Sequence, residues 1–196
     1  MIELPDVEAI KIMLTTKLYT LDEFWMYISQ PEREHKHYEL IGGEIVEVVS
    51  DGYSSEVGSE FLYRIKRYLD ETGIKGRVTG EAAGYLVSGK PYIPDVAYMS
   101  AKSQSKREQE RGYNVQAPDI AVEVISPIDR MADLRIKVAD YLNAGTVVWV
   151  ADPREKTVVV HMPNAEPEVL HLDGTLEGGD VLNGFSVAVS DLFPEE

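Results

Sequence analysis

The sequence predicts a mixed α/β domain, an α+β fold in which helices cover a mixed sheet. Two continuous apolar runs, residues 120–125 and 146–151, read as strands buried on both faces. The segment between them, residues 128–143, repeats its apolar side chains at helical spacing. A second helical stripe at residues 54–71 precedes two further strand-like stretches, so the order is helix, strand, strand, strand, helix, strand.

Composition sets the outer limits. A chain of 196 residues suits one domain, assigned to residues 18–196 behind an N-terminal arm, residues 1–17, that has no clear period. No stretch approaches the ~18 apolar residues of a membrane span. The opening Met-Ile-Glu-Leu-Pro-Asp also lacks the basic and apolar regions of a signal peptide. The expectation is a cytoplasmic protein with no membrane partner. With no cysteine there is no disulfide, no thiolate zinc site and no cysteine nucleophile, which fits a reducing compartment. Any metal must sit on oxygen or imidazole. The formal charge of −15 opposes non-specific affinity for nucleic acid. Residues 152–196 hold ten acidic and two basic side chains, −8 of that total, so a local groove elsewhere can still be positive.

The elements follow in order. Leu21, Phe24, Trp25 and Ile28 mark an amphipathic helix over residues 20–29, with Thr20 and Glu23 spaced as a capping box. Residues 37–49 form two extended runs about Gly42-Gly43, a hairpin signal. Glu39 and Glu44 flank that turn, and their local reading is solubility at a strand edge. In the helix at 54–71 the buried stripe is Val57, Phe61, Leu62, Ile65, Tyr68 and Leu69. Arg64, Lys66 and Arg67 decorate its far side, where a solvated face is the plain reading and a phosphate-facing role the functional one. Gly73 and Gly76 close the helix and start a turn. Strands are then expected at 81–88 and 92–99, separated by a tight turn at 89–91. Pro94 removes a ladder donor, so Asp95 falls where the second strand is irregular, a position that often aims a functional side chain. Residues 102–112 are polar and read as a loop or exposed turn. Beyond the run at 146–151 come a strand at 157–161 and a Gly- and acid-rich tail with short apolar pieces ending at Phe193.

Two residues in the central stretch call for a reason. Glu123 shares a strand face with Ala121 and Ile125, and a carboxylate among apolar neighbours is costly unless paired, protonated or metal-bound. In the helix at 128–143, Asp129 is the expected N-cap and Gly145 lies just past the end. Its buried stripe is Met131, Leu134, Val138, Tyr141 and Leu142. Lys137 borders that stripe four residues after Asp133, so its local reading is a snorkelling lysine paired to Asp133. Taken with Asp95 and Glu123 on neighbouring strands, however, it completes a trio that can converge at one end of a sheet. Such a trio suits metal-assisted phosphodiester hydrolysis, with two acids holding Mg²⁺ and a lysine orienting or deprotonating the nucleophile.

From about residue 18 to 193 the chain resembles the Uma-type endonucleases, a bacterial branch of the restriction-endonuclease-like PD-(D/E)XK superfamily. The resemblance rests on Tyr38-Glu39-Leu40-Ile41-Gly42-Gly43-Glu44, on Pro94-Asp95-Val96 and on the run Ala117 to Ser126 containing Glu123. Lys137, Tyr141 and Gly145 before Trp149-Val150-Ala151-Asp152-Pro153 complete it. It implies an αβββαβ core and a Mg²⁺-dependent endodeoxyribonuclease, with Mn²⁺ as a substitute and DNA as substrate. Asp95 and Glu123 would be metal ligands and Lys137 the lysine. The superfamily lysine usually follows the glutamate by two residues; that position is Ile125 here, and Lys137 looks like its migrated replacement. A third acidic ligand is expected from the N-terminal part, assigned to Glu39 with Glu44, Glu56 and Glu60 as rivals. The His-Gln pair common at the first core helix is Ser55-Glu56 in this chain. A homodimer would let two sites address two strands. Two other readings share the fold: a catalytically silent module for protein association, and a metal-dependent hydrolase of a smaller phosphate ester.

Overall fold

A computed structural model describes residues 17–49, 51–103, 109–127 and 129–195. The predicted arm therefore lies almost wholly outside the described residues. Helix α1 (Leu21–Ile28) starts with the expected capping box, in which Thr20 Oγ1 accepts from the Glu23 amide and the Glu23 carboxylate accepts from the Thr20 amide. Strands β1 (Tyr38–Ile41) and β2 (Glu44–Glu47) pair antiparallel. Their turn takes φ of +57° at Gly42 and +87° at Gly43, which only glycine adopts without strain. Helix α2 (Gly52–Thr72) is capped by Asp51, whose carboxylate accepts from the Tyr53 and Ser54 amides, and ends at a left-handed Gly73.

Next come β3 (Gly76–Gly80), β4 (Tyr85–Val87), β5 (Lys90–Tyr92) and β6 (Val96–Ser100). This corrects the sequence reading, which put a turn at Gly76 and one strand over 81–88. Of the two glycines that suggested a turn, Gly73 is the left-handed helix cap and Gly76 is there for packing: a Cβ on it would lie 2.6 Å from the Tyr98 ring. All five residues of β3 pair with β6, and those ladder bonds outweigh the poor strand propensity of glycine. Strands β7 (Gln109–Glu110) and β8 (Tyr113–Asn114) join β5 and β4 in a small sheet, order β5-β4-β8-β7. The rest of the predicted 102–112 loop includes residues 104–108, which lie outside the described residues.

The chain continues through β9 (Ile120–Val124), α3 (Met131–Asn143), β10 (Val147–Asp152) and β11 (Thr157–His161). It finishes with β12 (Glu168–Leu170), β13 (Thr175–Glu177) and β14 (Ser186–Ala188). Helix α3 starts later than the sequence suggests. Arg130 occupies its N-cap position, because the Asp129 carboxylate is spent on the Ser126 amide at 2.6 Å. Met131 consequently sits on the first turn and is 45% exposed, outside the buried stripe.

The main sheet has the order β12-β11-β10-β9-β6-β3. Strands β9 and β10 run parallel across the α3 crossover, and the other pairs are antiparallel. In chain order α2, β3, β6, β9, α3 and β10 make the αβββαβ core. Phe61 and Ile65 of α2 pack with Val96, Val122 and Trp149 on one face. Tyr141 of α3 packs with Ala97, Ala121 and Val148 on the other. Among the described residues no helix is long and apolar enough to cross a membrane.

Candidate active site

The site begins with strand alternation. Val96 pairs with Val122, so Asp95 and Glu123, one step further along each strand, come together at the same end of the sheet. Because Pro94 brings no amide hydrogen, β6 does not start until Val96. Asp95 turns into the resulting gap, where its Oδ2 accepts the Val124 amide hydrogen at 2.6 Å. Glu123 projects from β9 on the Ala121 side, toward α3, as its place in the apolar run requires.

Lys137 arrives from α3. Its Nζ lies 2.6 Å from Glu123 Oε2 and 2.9 Å from Glu39 Oε1. All three side chains are buried, at 7%, 6% and 4% exposure for Lys137, Glu123 and Glu39. The local pairing of Lys137 with Asp133 is not formed. Asp133 instead accepts from Arg130 at 2.7 Å, and Arg130 reaches Glu44 at 2.8 Å. A buried ammonium demands buried anions, and two carboxylates meet that demand better than one at the helix surface. Glu39 is likewise far from a solubility device: the same Oε1 accepts the Ile93 amide hydrogen at 2.6 Å, tying the hairpin to the irregular segment before Asp95. Of the rival acids, Glu44 is held by Arg130, Glu60 faces Arg64 at 3.3 Å, and Glu56 is exposed on α2.

The charges do not balance. Three acids, Asp95, Glu123 and Glu39, surround one ammonium. Burial pushes the Asp95 carboxyl up to about 6; the Val124 hydrogen bond and Lys137 oppose the rise, and Glu39 adds to it. Burial also raises Glu123, with the Glu39 and Asp95 charges adding to it against the pull of Lys137. For Lys137 burial favours the neutral amine, yet Glu123 and Glu39 together hold the ammonium well above its ordinary value. The phenol of Tyr141 is raised well above its usual range by burial and then by Glu123 and Glu39.

These groups line a cavity of about 300 Å³. Glu123 is one of its lining residues; the Glu123 Oε1 and the Tyr141 Oη are both buried with no geometric hydrogen-bond partner, although the Glu123 carboxylate acts on the Tyr141 phenol as a neighbour. An unpartnered buried carboxylate oxygen is costly, and one facing a cavity beside a second carboxylate suits a hard cation. The Asp95 and Glu123 carboxylates are the residues that would supply such oxygen ligands. Among the described residues no group of three or more His, Asp or Glu side chains is arranged to hold a metal. Mg²⁺ is commonly held by one or two carboxylates with water and substrate phosphate filling the rest, so a two-carboxylate site fits it. Sequence reasoning assigned Glu39 as a third ligand and missed its bonds to Lys137 and the Ile93 amide; Tyr141 it placed in the helix stripe and in the family motif without a role.

Residues 22–190 match the family Uma2, described as "Putative restriction endonuclease". The fold is similar to that of a protein from Anabaena variabilis whose crystal structure is described as a "putative nuclease belonging to DUF820". The two share 26% identity and a TM-score of 0.74, over 89% of this chain and 97% of that one. Among curated proteins none matches the chain.

Proposed function

The chain belongs to the Uma2 restriction-endonuclease family, and from that premise we propose that it is a Mg²⁺-dependent nuclease that hydrolyses DNA phosphodiester bonds. The observation that carries the reading is the meeting of the Asp95 and Glu123 carboxyls at one end of the sheet beside Lys137, in a shared cavity, with Glu123 Oε1 buried and without a geometric hydrogen-bond partner. If all four groups are ionised, Asp95, Glu123, Glu39 and Lys137 leave two negative charges uncompensated, which a divalent cation matches.

In this mechanism Asp95 and Glu123 hold the ion at the end of β6 and β9. When bound, Mg²⁺ supplies Lewis-acid stabilisation of the phosphate and lowers the pKa of attacking water. Lys137 orients the nucleophilic water or a phosphate oxygen through its ammonium hydrogens. Its stem is fixed by α3 and its head by Glu39 as well as Glu123, so Glu39 would still hold Nζ if Glu123 served the ion. Glu39 is thus assigned to the lysine, with its remaining oxygen as the third-ligand alternative. The Asp95 bond to the Val124 amide fixes the first carboxylate against the strand that carries the second.

The test is cleavage of supercoiled and linear DNA with Mg²⁺, Mn²⁺ or chelator, by wild type beside Glu123→Gln and Lys137→Ala. Divalent-dependent cleavage lost in both variants is expected. Equal activity in all three would contradict the assignment. Turnover of a small phosphodiester but no DNA form would move the substrate to smaller esters, and no turnover of either would mark a silent fold.

A further inference from the structure

Strand β3 is an edge of the main sheet, and α2 lies alongside it. Between them runs a furrow with two hollows. The near one places Ser55, Ser59 and Leu62 of α2 opposite Gly80 and Glu81, and reaches Asp95. The far one places Lys66 and Asp70 opposite Lys75 and Arg77, in a cavity of about 420 Å³, a size typical of ligand sites. Leu62 and Lys66 are one helical turn apart, and Gly80 and Gly76 are the two ends of β3, so both hollows lie along the α2–β3 seam and the near one reaches Asp95, with no lining residue in common.

The far hollow is unusual for this chain. It gathers three cations against one acid, in a protein whose net charge is −15. Lys66 pairs with Asp70 on the helix surface and is 53% exposed. Lys75 is exposed, and the Arg77 guanidinium rests on Met99 Sδ at 3.6 Å. Tyr63 lies one turn beyond Ser59 but lines neither hollow, its ring facing Arg64 and Arg67. It is 51% exposed, with the Arg67 guanidinium 5.6 Å from its ring. Exposed aromatic rings beside cations are what single strands stack on. The five residues of β3 span about 13 Å, several phosphates of a strand whose charges sit ~3.4 Å apart along a duplex axis.

We propose that this furrow between α2 and β3 is the track for one strand of nucleic acid. The reacting phosphate sits at Asp95 and Glu123, and phosphates a few positions away sit on Lys66, Lys75 and Arg77. The proposal rests on the nuclease reading and adds to it the direction in which substrate leaves the site. The cations are confined to the far hollow, where Lys66 also pairs with Asp70, while Glu81 and Asp95 lie in the near one.

Binding of fluorescein-labelled single-stranded and duplex oligonucleotides, followed by anisotropy over a salt series with chelator present, tests it. The chains compared are wild type, Lys66→Ala/Lys75→Ala and Lys66→Arg/Lys75→Arg, with circular dichroism confirming the fold. In the alanine pair, affinity for single strands should fall about tenfold or more, and the salt slope should become shallower by about 1.4, roughly 0.7 for each phosphate no longer neutralised. The arginine pair should restore both. In cleavage with Mg²⁺ the alanine pair should raise KM and leave kcat within about twofold, because lysines on remote phosphates position the strand without touching the reacting atoms. Binding and slope unchanged in the alanine pair, with wild type still cleaving, would overturn the track and leave the nuclease reading standing. An alanine pair that binds oligonucleotide as wild type does but no longer binds an acidic peptide would overturn it by giving the furrow to a protein segment. A wild type that neither binds nor cleaves any DNA would remove both readings.

Discussion

Lys137 Nζ lies 2.6 Å from Glu123 Oε2, a buried ion pair that joins the middle of α3 to β9. Removing the ammonium leaves Glu123 and Glu39 facing each other without compensation. Lys137→Met is therefore expected to destabilise the fold by roughly 3–5 kcal/mol at pH 8, the usual cost of breaking a buried pair. The loss should shrink toward pH 5, where Glu123, already raised by burial, takes up a proton. Urea unfolding at the two pH values checks this; an equal loss at both would mean that the stranded charge is not the cause.

The same carboxylates govern how the protein responds to pH. The folded-state pKa of Asp95 is raised from 3.8 to about 6, and that of Glu123 is raised in the same direction. A raised carboxylate contributes stability that is fully present below its unfolded pKa and is lost as pH rises through its folded pKa. In chelator, the contribution of Asp95 should thus fade between about pH 4 and 6, and that of Glu123 at higher pH. A divalent cation competes with those protons, so the rise in Tm caused by Mn²⁺ should be larger at pH 8 than at pH 5. Equal rises at both pH values would argue against ion binding at these groups.

Glu39 separates two roles that one carboxylate can play. As the holder of Lys137, its replacement by Gln should leave Mn²⁺ affinity within about threefold, while cleavage falls by about 10–100-fold, the usual effect of losing a group that orients a site residue. Calorimetric titration beside Glu123→Gln checks it. Loss of ion binding as complete as in Glu123→Gln would make Glu39 the third ligand.

Support for Glu39 reaches back to the small sheet. Tyr113 Oη donates to the Tyr38 carbonyl at 2.7 Å, just before Glu39, and the Tyr113 ring lies against Gly84 where a Cβ would have to stand. Gly84→Ala should therefore displace Tyr113 and cost about 1–3 kcal/mol, as overpacking does. A Tm equal to wild type would show that the ring moves without consequence.

How much of this was legible differs from residue to residue. Glu123 was visible because one carboxylate in a doubly buried strand has few explanations, and Asp95 because Pro94 announces a break in β6. Apart from the first core strand, placed at 81–88, the order of core elements followed from their periodicities. Lys137 was ambiguous: spacing alone pointed to Asp133, and only the approach of a distant hairpin supplies the second carboxylate that burial requires. The role of Glu39 was hidden for the same reason, since its partners stand at positions 93 and 137. Strand β3 was misread because Gly76, which clears the Tyr98 ring, looks locally like part of a turn after the Gly73 cap. Long-range packing decided each of these, and no local pattern encodes it.

The central claim is that Asp95 and Glu123 together hold one divalent cation. Titration of the protein with Mn²⁺, counting free ion by electron paramagnetic resonance, tests it directly. One bound ion per chain in wild type, lost in both Asp95→Asn and Glu123→Gln while Glu44→Gln binds as wild type does, is the predicted result. Unchanged binding in either of the first two variants would contradict it.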